Sequence, residues 1–188
     1  MNTPDPAAPD PAAQRAARLL RWYPKAWRSR YGEEFAELLM ADIEDFRRMI
    51  AGDHGLVVVS TPREDGTIAS SVVNAGVLPH PVSGATVVGM VIRGGTRKLD
   101  RLRKRPYANV VARSGWQWAA AEGPVELAGP ADPMPGVDAE RLRLLLREIF
   151  TAAGGTHEDF DTYDRVMLAE GRTAALVYPQ RVYSNPGQ

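Results

Sequence analysis

Apolar positions along the chain change their spacing near residue 55. Before it the spacing is helical. AAQRAARLLRWY forms one helix, which Pro24 interrupts, because proline lacks an N–H and clashes with the preceding turn. A second helix is expected from near Ser29 through YGEEFAELLMADIEDFRRMI. There Tyr31, Phe35, Leu38, Leu39, Asp42 and Phe46 fall near a 3.6 period, with Asp42 as an acidic defect. Glu33 and Glu34 lie in its first turn, where the helix dipole favours acids. After Gly52 the apolar runs become short and β-branched. LVVVS (56–60), TIASSVVN (67–74), ATVVGMVI (85–92), YANVVARS (107–114), WQWAAAEGPVELAG (116–129) and TAALVYP (173–179) read as strands. REDG (63–66) is a turn signal, PHPVSG (79–84) a loop, and Ser114-Gly115 a tight link. VDAERLRLLLREIFTAAGG is a helix with Asp138 as N-cap and Gly154-Gly155 past its end, and DFDTYDRVMLAEG is a shorter helix. Six such strands with helices between them predict a mostly β protein, a small antiparallel barrel with α additions.

Composition narrows the function. The 188 residues carry 23 cations and 23 anions, and apolar residues make up 44%. That is the composition of a folded protein with one well-buried domain, and its formal neutrality speaks against a nucleic-acid coat. With no cysteine there is no disulfide, thiol nucleophile or thiolate metal site. MNTPDPAAPDPAAQ has neither the basic start nor the apolar run of a signal peptide, and no apolar stretch reaches the ~20 residues of a membrane helix. The expected compartment is the cytoplasm. Residues 1–12, with four prolines among small residues, read as a flexible tail; 13–42 as a helical extension; and 43–188 as the barrel domain. The extension is basic and aromatic (Arg15, Arg18, Arg21, Trp22, Lys25, Trp27, Arg28, Arg30). A helical hairpin packed on the domain or on a second subunit accounts for this better than a membrane contact.

Against this neutral background, RGGTRKLDRLRKR (93–105) packs seven cations into thirteen residues. Thr96 is the natural N-cap of a helix following a buried strand, which puts Arg97 and Lys98 in the first turn. Cations there face the positive end of the helix dipole and cost a few tenths to ~1 kcal/mol each at low salt. An anion removes the cost. Free amides, a hydroxyl and two cations are expected to converge on one point, the recipe for a phosphate site, against the alternative of a solvated helix face. Leu99 and Leu102 hold the helix to the barrel, while Arg101, Arg103, Lys104 and Arg105 are expected to face solvent. Neither GxxxxGK[ST] nor GxGxxG is present, and no nucleic-acid-binding signature accompanies the patch. Nucleic acid is not an expected partner.

The order of REDGTIASSVVNAG, GGTRKLDRLRKRP, YANVVARS and GWQWAAAEGPVELAG resembles the split-barrel flavin and deazaflavin oxidoreductases related to pyridoxamine 5'-phosphate oxidase, over about residues 43–185. Within them it is similar to the subgroup that uses coenzyme F-420, a deazaflavin with a phosphate and an oligoglutamate tail. The resemblance implies a six-stranded antiparallel split β-barrel (an FMN-binding split barrel) that forms homodimers with the cofactor in clefts at the subunit interface. It assigns Arg97 and Lys98, with Thr96 beside them, to the cofactor phosphate, and the remaining cations to the acidic tail. It places the ring along Ser70, Ser71, Val72, Val73 and Asn74. These alternate faces, and their backbone amides can reach the ring edge.

Two readings of Trp116 and Trp118 stay open. Two residues apart, they are expected to share one strand face, either as core or dimer packing or as an aromatic wall across the cofactor cleft. Asn185 could serve likewise. The N-terminal RLLRWYPKAWRSRYGEEF is similar to a short prefix found on some bacterial membrane proteins and their regulators. His54, His80 and His157 show no spacing of a metal site or a triad, so no catalytic residue and no metal ligand is assigned. The expected activity is hydride transfer from the reduced deazaflavin to a small electron-poor substrate. An FMN enzyme on the same barrel and a non-enzymatic F-420 binder are the alternatives.

Overall fold

The computed structural model describes residues 20–40 and 42–184, and of residues 33–40 the backbone alone. The expected tail (1–12), most of the first expected helix and Asn185 lie outside the described residues. Two helices stand where one was expected after Pro24: α1, Lys25–Met40, and α2, Ile43–Ala51. α1 begins directly after Pro24, whose carbonyl accepts the Arg28 N–H at 3.0 Å. The proline thus starts a helix, where its missing N–H costs nothing. The acidic defect at Asp42 is the N-cap of α2. Its carboxylate accepts the Glu44 and Asp45 N–H groups (2.9 and 2.8 Å), and the Asp45 carboxylate accepts the Asp42 N–H (3.2 Å). α2 then buries Phe46 and Ile50 against the barrel.

The remaining elements are β1 (Leu56–Pro62), β2 (Ile68–Pro79), β3 (Thr86–Ile92), α3 (Arg97–Lys104), β4 (Tyr107–Ser114), β5 (Gln117–Ala128), α4 (Ala139–Ala152), α5 (Phe160–Ala169), β6 (Thr173–Val177) and β7 (Arg181–Ser184). Strand neighbours run β4-β1-β2-β3-β6-β5, and β5 pairs back to β4, closing a six-stranded antiparallel barrel. β7 is an addition on the outer edge of β5, pairing residues 119–122. Its four residues are too few to carry a sequence period, and it was not expected.

Two long strands split the barrel. β2 pairs β1 through residues 68–74 and β3 through residues 75–79. β5 pairs β4 through residues 117–124 and β6 through residues 125–128. Inside lie Val57, Val59, Met90, Val110, Ala121 and Val177, with Leu99 and Leu102 of α3 reaching the same cluster. α4 covers the far side with Leu145, Leu146 and Ile149. Where it crosses β2, a Cβ on Gly76 would stand 2.4 Å from the Ala152 carbonyl carbon, so only glycine permits that approach. No helix among the described residues is long and apolar enough to cross a membrane.

Candidate functional site

The turn that opens α3 forms as its sequence dictates. Gly95 takes φ of 69°, in the left-handed region, and nothing lies within 4 Å of where its Cβ would stand. The Gly94 N–H donates to the Glu170 carbonyl (3.1 Å), anchoring the turn to the end of α5. Thr96 caps the helix. Its Oγ1 accepts the Leu99 N–H (3.4 Å) and donates to the Arg93 carbonyl (3.0 Å). The Thr96 hydroxyl proton is therefore engaged in holding the turn. Leu99 and Leu102 are fully buried, which fixes the rotation of α3 and so the direction of its cations.

Those cations divide into two groups. Arg103 grips Asp132 through two bonds (2.8 and 2.9 Å) and Asp100 through a third (3.2 Å). Lys104 pairs with Glu64 at 2.6 Å, and Arg93 with Glu170 at 3.7 Å. Arg97, Lys98, Arg101 and Arg105 form no ion pair among the described residues. Arg101 departs from the solvent-facing expectation. It is half-buried, and its Nε donates to Thr61 Oγ1 on β1 at 3.0 Å. Lys98 is half-buried too. Burial pushes its ammonium below the ordinary lysine range, and Arg101 beside it pushes the same way.

Between α3 and the tip of the β1–β2 hairpin lies a cleft of about 500 Å³, lined by Arg63, Arg97, Arg101, Lys104 and Arg105 together with Glu64, Asp65 and Asp100. Arg63 was not expected here. Its guanidinium donates to Thr67 Oγ1 (3.1 Å) and the Ile68 carbonyl (2.6 Å), and it forms no ion pair among the described residues. Four guanidiniums that form no ion pair among the described residues thus face one cleft. The bond to Lys104 lowers the Glu64 carboxyl and nearby Arg105 adds to it; bonds from Thr67 lower the Asp65 carboxyl and nearby Arg63 adds to it. Sequence spacing could not disclose this, because the hairpin tip and α3 meet only through the barrel.

The ring-lining expectation on β2 resolves by parity. Ser70, Val72 and Asn74 point outward, and Val72 is 65% exposed. Ser71 and Val73 point inward and are half-buried, with Val73 packed on the core cluster. Neither side chain is presented to a ligand outside, and β1 takes up their main-chain groups. The Arg63 N–H donates to Thr67 (2.7 Å) and the Ala75 N–H to Gly55 (2.8 Å), so the odd-numbered residues of this stretch direct their main chain at β1. Residues 70, 72 and 74 direct theirs at the opposite edge. No strand pairs with that edge among the described residues, because β3 joins β2 only from Ala75 on. The open edge runs from the point where β3 departs to the hairpin tip that α3 touches.

Trp116 and Trp118 do not share a strand face. Ser114 pairs with Gln117, so Gly115-Trp116 is the two-residue hairpin loop and Trp116 stands at its tip, 94% exposed. Trp118 lies on the outer face of β5, edge-on to Tyr183 with ring centroids 5.9 Å apart. That face carries rows of directly opposed residues. One reads Ser70, Ser60, Asn109, Glu122, Arg181, and the next Val72, Val58, Val111, Ala120, Tyr183. The first row is bonded laterally: Ser60 to Ser70 at 2.8 Å, Asn109 to Glu122 at 3.2 Å and Arg181 to Glu122 at 3.1 Å. Tyr183 Oη accepts from Asn109 Nδ2 at 2.5 Å, and burial pushes its phenol above the ordinary tyrosine range.

His80 and His157 serve local structure. His80 is buried, and its Nδ1 accepts the Val82 and Ser83 N–H groups (3.3 and 3.1 Å), while Nε2 lies 3.0 Å from Glu126. Nδ1 of His157 accepts the Asp159 N–H at 3.0 Å.

No protein-family model matches the sequence. Among solved structures the chain is similar to a conserved hypothetical protein from Mycobacterium tuberculosis, at 15% identity over 80% of this chain and 88% of that one, with a TM-score of 0.57. It is similar to a pyridoxamine 5'-phosphate oxidase-related, FMN binding protein from Nostoc punctiforme, at 12% identity over 83% and 81%, TM-score 0.50. It is also similar to a heme binding protein from Mycobacterium smegmatis, at 14% identity over 78% of this chain, TM-score 0.53, and it spans 55% of that longer protein. At such identities the likeness is one of fold: this chain is a split β-barrel of the kind found in pyridoxamine 5'-phosphate oxidase-related proteins.

Proposed function

We propose that the protein is an oxidoreductase that uses a flavin-type cofactor, and that this cofactor is coenzyme F-420. The observation that carries the reading is the set of four guanidiniums, Arg63, Arg97, Arg101 and Arg105, that face one cleft and form no ion pair among the described residues. A lone phosphate needs two or three donors. Four guanidiniums, with the Lys98 ammonium beside them, suit a tail that carries several negative charges. Arg103 and Lys104 take less part than the sequence suggested, since Asp132 and Glu64 already engage them.

Arg97, Lys98 and Arg101 bind the phosphate, and Thr96 fixes the helix start that aims them. Arg63 and Arg105 take the acidic tail. The open main-chain groups of residues 70, 72 and 74 offer alternating donors and acceptors to a heterocycle edge, while Val72 supplies an apolar contact beside it. The bound deazaflavin supplies the hydride. The chain positions it and excludes water around it, and no side chain of this site is assigned a proton-transfer role.

The cleft lies at the border of the outer face of β1, β2, β4, β5 and β7. Leu56, Val58, Ile68 and Val72 leave 41–65% of their surface exposed on that face. A second copy covering it would complete the water-free pocket, with Trp116 and Trp118 as candidate walls, so we assign the working form as a homodimer acting on a small-molecule substrate.

Fluorescence titration with F-420 beside FMN tests the cofactor. The expected result is saturable binding of F-420 at least tenfold tighter than FMN. Equal or tighter FMN binding would move the assignment to an FMN enzyme. F-420 binding without turnover of reduced F-420 against enones, quinones and tetrapyrroles would make the protein a binder rather than an enzyme.

A further inference from the structure

A second hollow lies between α4, α5 and the loop of residues 129–138, and it shares no residue with the α3 cleft. Its volume is about 700 Å³, in the range of small-molecule sites. Met134, Leu142, Leu146 and Met167 make it chiefly apolar, and Leu168 stands beside them with 77% of its surface exposed. Its floor is the packed core under α4.

The charges around it are nearly all engaged. Asp164 is held by Arg143 and Arg147, Glu140 by Arg143, Asp132 by Arg103 and Arg172 by Glu170. Asp138 accepts the Arg141 N–H as the cap of α4. Arg165 is the exception. It donates to Thr162 Oγ1 (2.6 Å) and forms no ion pair among the described residues. Bonds from Thr162 lower the Asp159 carboxyl, and Arg165 lies near enough to add to this. An apolar cavity with one guanidinium outside any ion pair at its rim is nonetheless complementary to an amphiphile bearing one negative charge.

We propose that this hollow is a second ligand site, which binds a small monoanion with an apolar chain or ring. The apolar part lies on Met134, Leu142, Leu146 and Met167, and the anionic group meets Arg165. The site does not depend on the cofactor assignment, and its test uses no cofactor. Isothermal titration with octanoate, 1-octanol and octylamine, each below its micelle concentration, reads it directly. Octanoate is expected to bind saturably at one site per chain and more tightly than octylamine. Arg165→Gln should weaken octanoate about tenfold, the loss of one charge-assisted bond, and leave octanol unchanged. Leu168→Asp should weaken both. Both substitutions are at exposed positions of α5 and leave the core intact. Absence of saturable octanoate binding at millimolar concentration would overturn the proposal, as would octylamine binding equally well or isotherms unchanged in the two variants.

Discussion

At the scale of single residues, cations seven places apart at most have opposite fates on α3. Arg103 serves stability, since its two bonds hold an Asp132 carboxylate that is only 11% exposed. Arg97 serves nothing within the described fold and lines the cleft. The two should therefore separate under mutation. Arg103→Ala should lower stability by about 1–2 kcal/mol, allowing for the partial exposure of the guanidinium, and leave F-420 affinity within twofold. Arg97→Ala should do the reverse. Chemical denaturation and fluorescence titration of both variants check this, and equal loss of affinity in the two would refute the division of roles.

The sequence showed the cap at Thr96, the buried pair Leu99 and Leu102 and the unfavourable cations of the first turn, because all three follow from spacing within one helix. It did not show which cations have partners. Asp132 lies 29 residues from Arg103, and Glu64 lies 40 residues from Lys104 in the opposite direction, so those pairs exist only once the barrel has formed. Arg63 was missed for the same reason. Asp42 was misread differently: an acid within a 3.6 period looked like a defect in one helix, and it is the cap of the next.

At the scale of elements, strands and helices that bury one face were legible from their periods. Where one strand serves two neighbours, the pattern was not. β2 alternates over its first half and is continuously buried over its second, where α4 lies on it, so the expected strand stopped at Asn74 and the real one continues to Pro79. Trp116 was expected on a strand, but Gly115 turns the chain there and leaves it at a loop. The contact between α4 and α5 carries a pH dependence. Arg147, bonded to both oxygens of Asp164 (2.8 and 2.5 Å), holds that carboxyl below the usual range; burial opposes it, and Arg143 adds to it. A carboxyl lowered in the folded state stabilises above its unfolded value, and that stabilisation is lost as the pH falls through the folded value. Asp164→Asn should thus lower Tm at pH 7, with the gap from the parent protein shrinking below about pH 4. Thermal melts across pH 2.5–7 measure it, and a gap independent of pH would show that the carboxylate charge contributes nothing.

At the scale of the whole molecule, one sheet face of the split barrel leaves Leu56, Val58, Ile68 and Val72 exposed among the described residues. Four strands present an apolar row, Val72, Val58, Val111 and Ala120, of which Val72 and Val58 are exposed, Val111 is half-buried and Ala120 is buried, beside a hydrogen-bonded polar row. The proposed dimer would bury Val58 and Val72 across this face. Light scattering should give twice the chain mass. Val58→Asp should give a monomer that keeps its secondary structure and loses F-420 binding. A parent protein that is monomeric and still binds the cofactor would remove the interfacial site.

In the proposed enzyme the cofactor's phosphate docks at the start of α3. The most direct measurement is the F-420 affinity of Arg97→Ala/Lys98→Ala, with circular dichroism as the check that the fold is kept. Two charge-assisted bonds at about 1.5–3 kcal/mol each predict a loss of at least a hundredfold. An affinity equal to that of the parent protein would contradict the assignment of the phosphate to the start of α3.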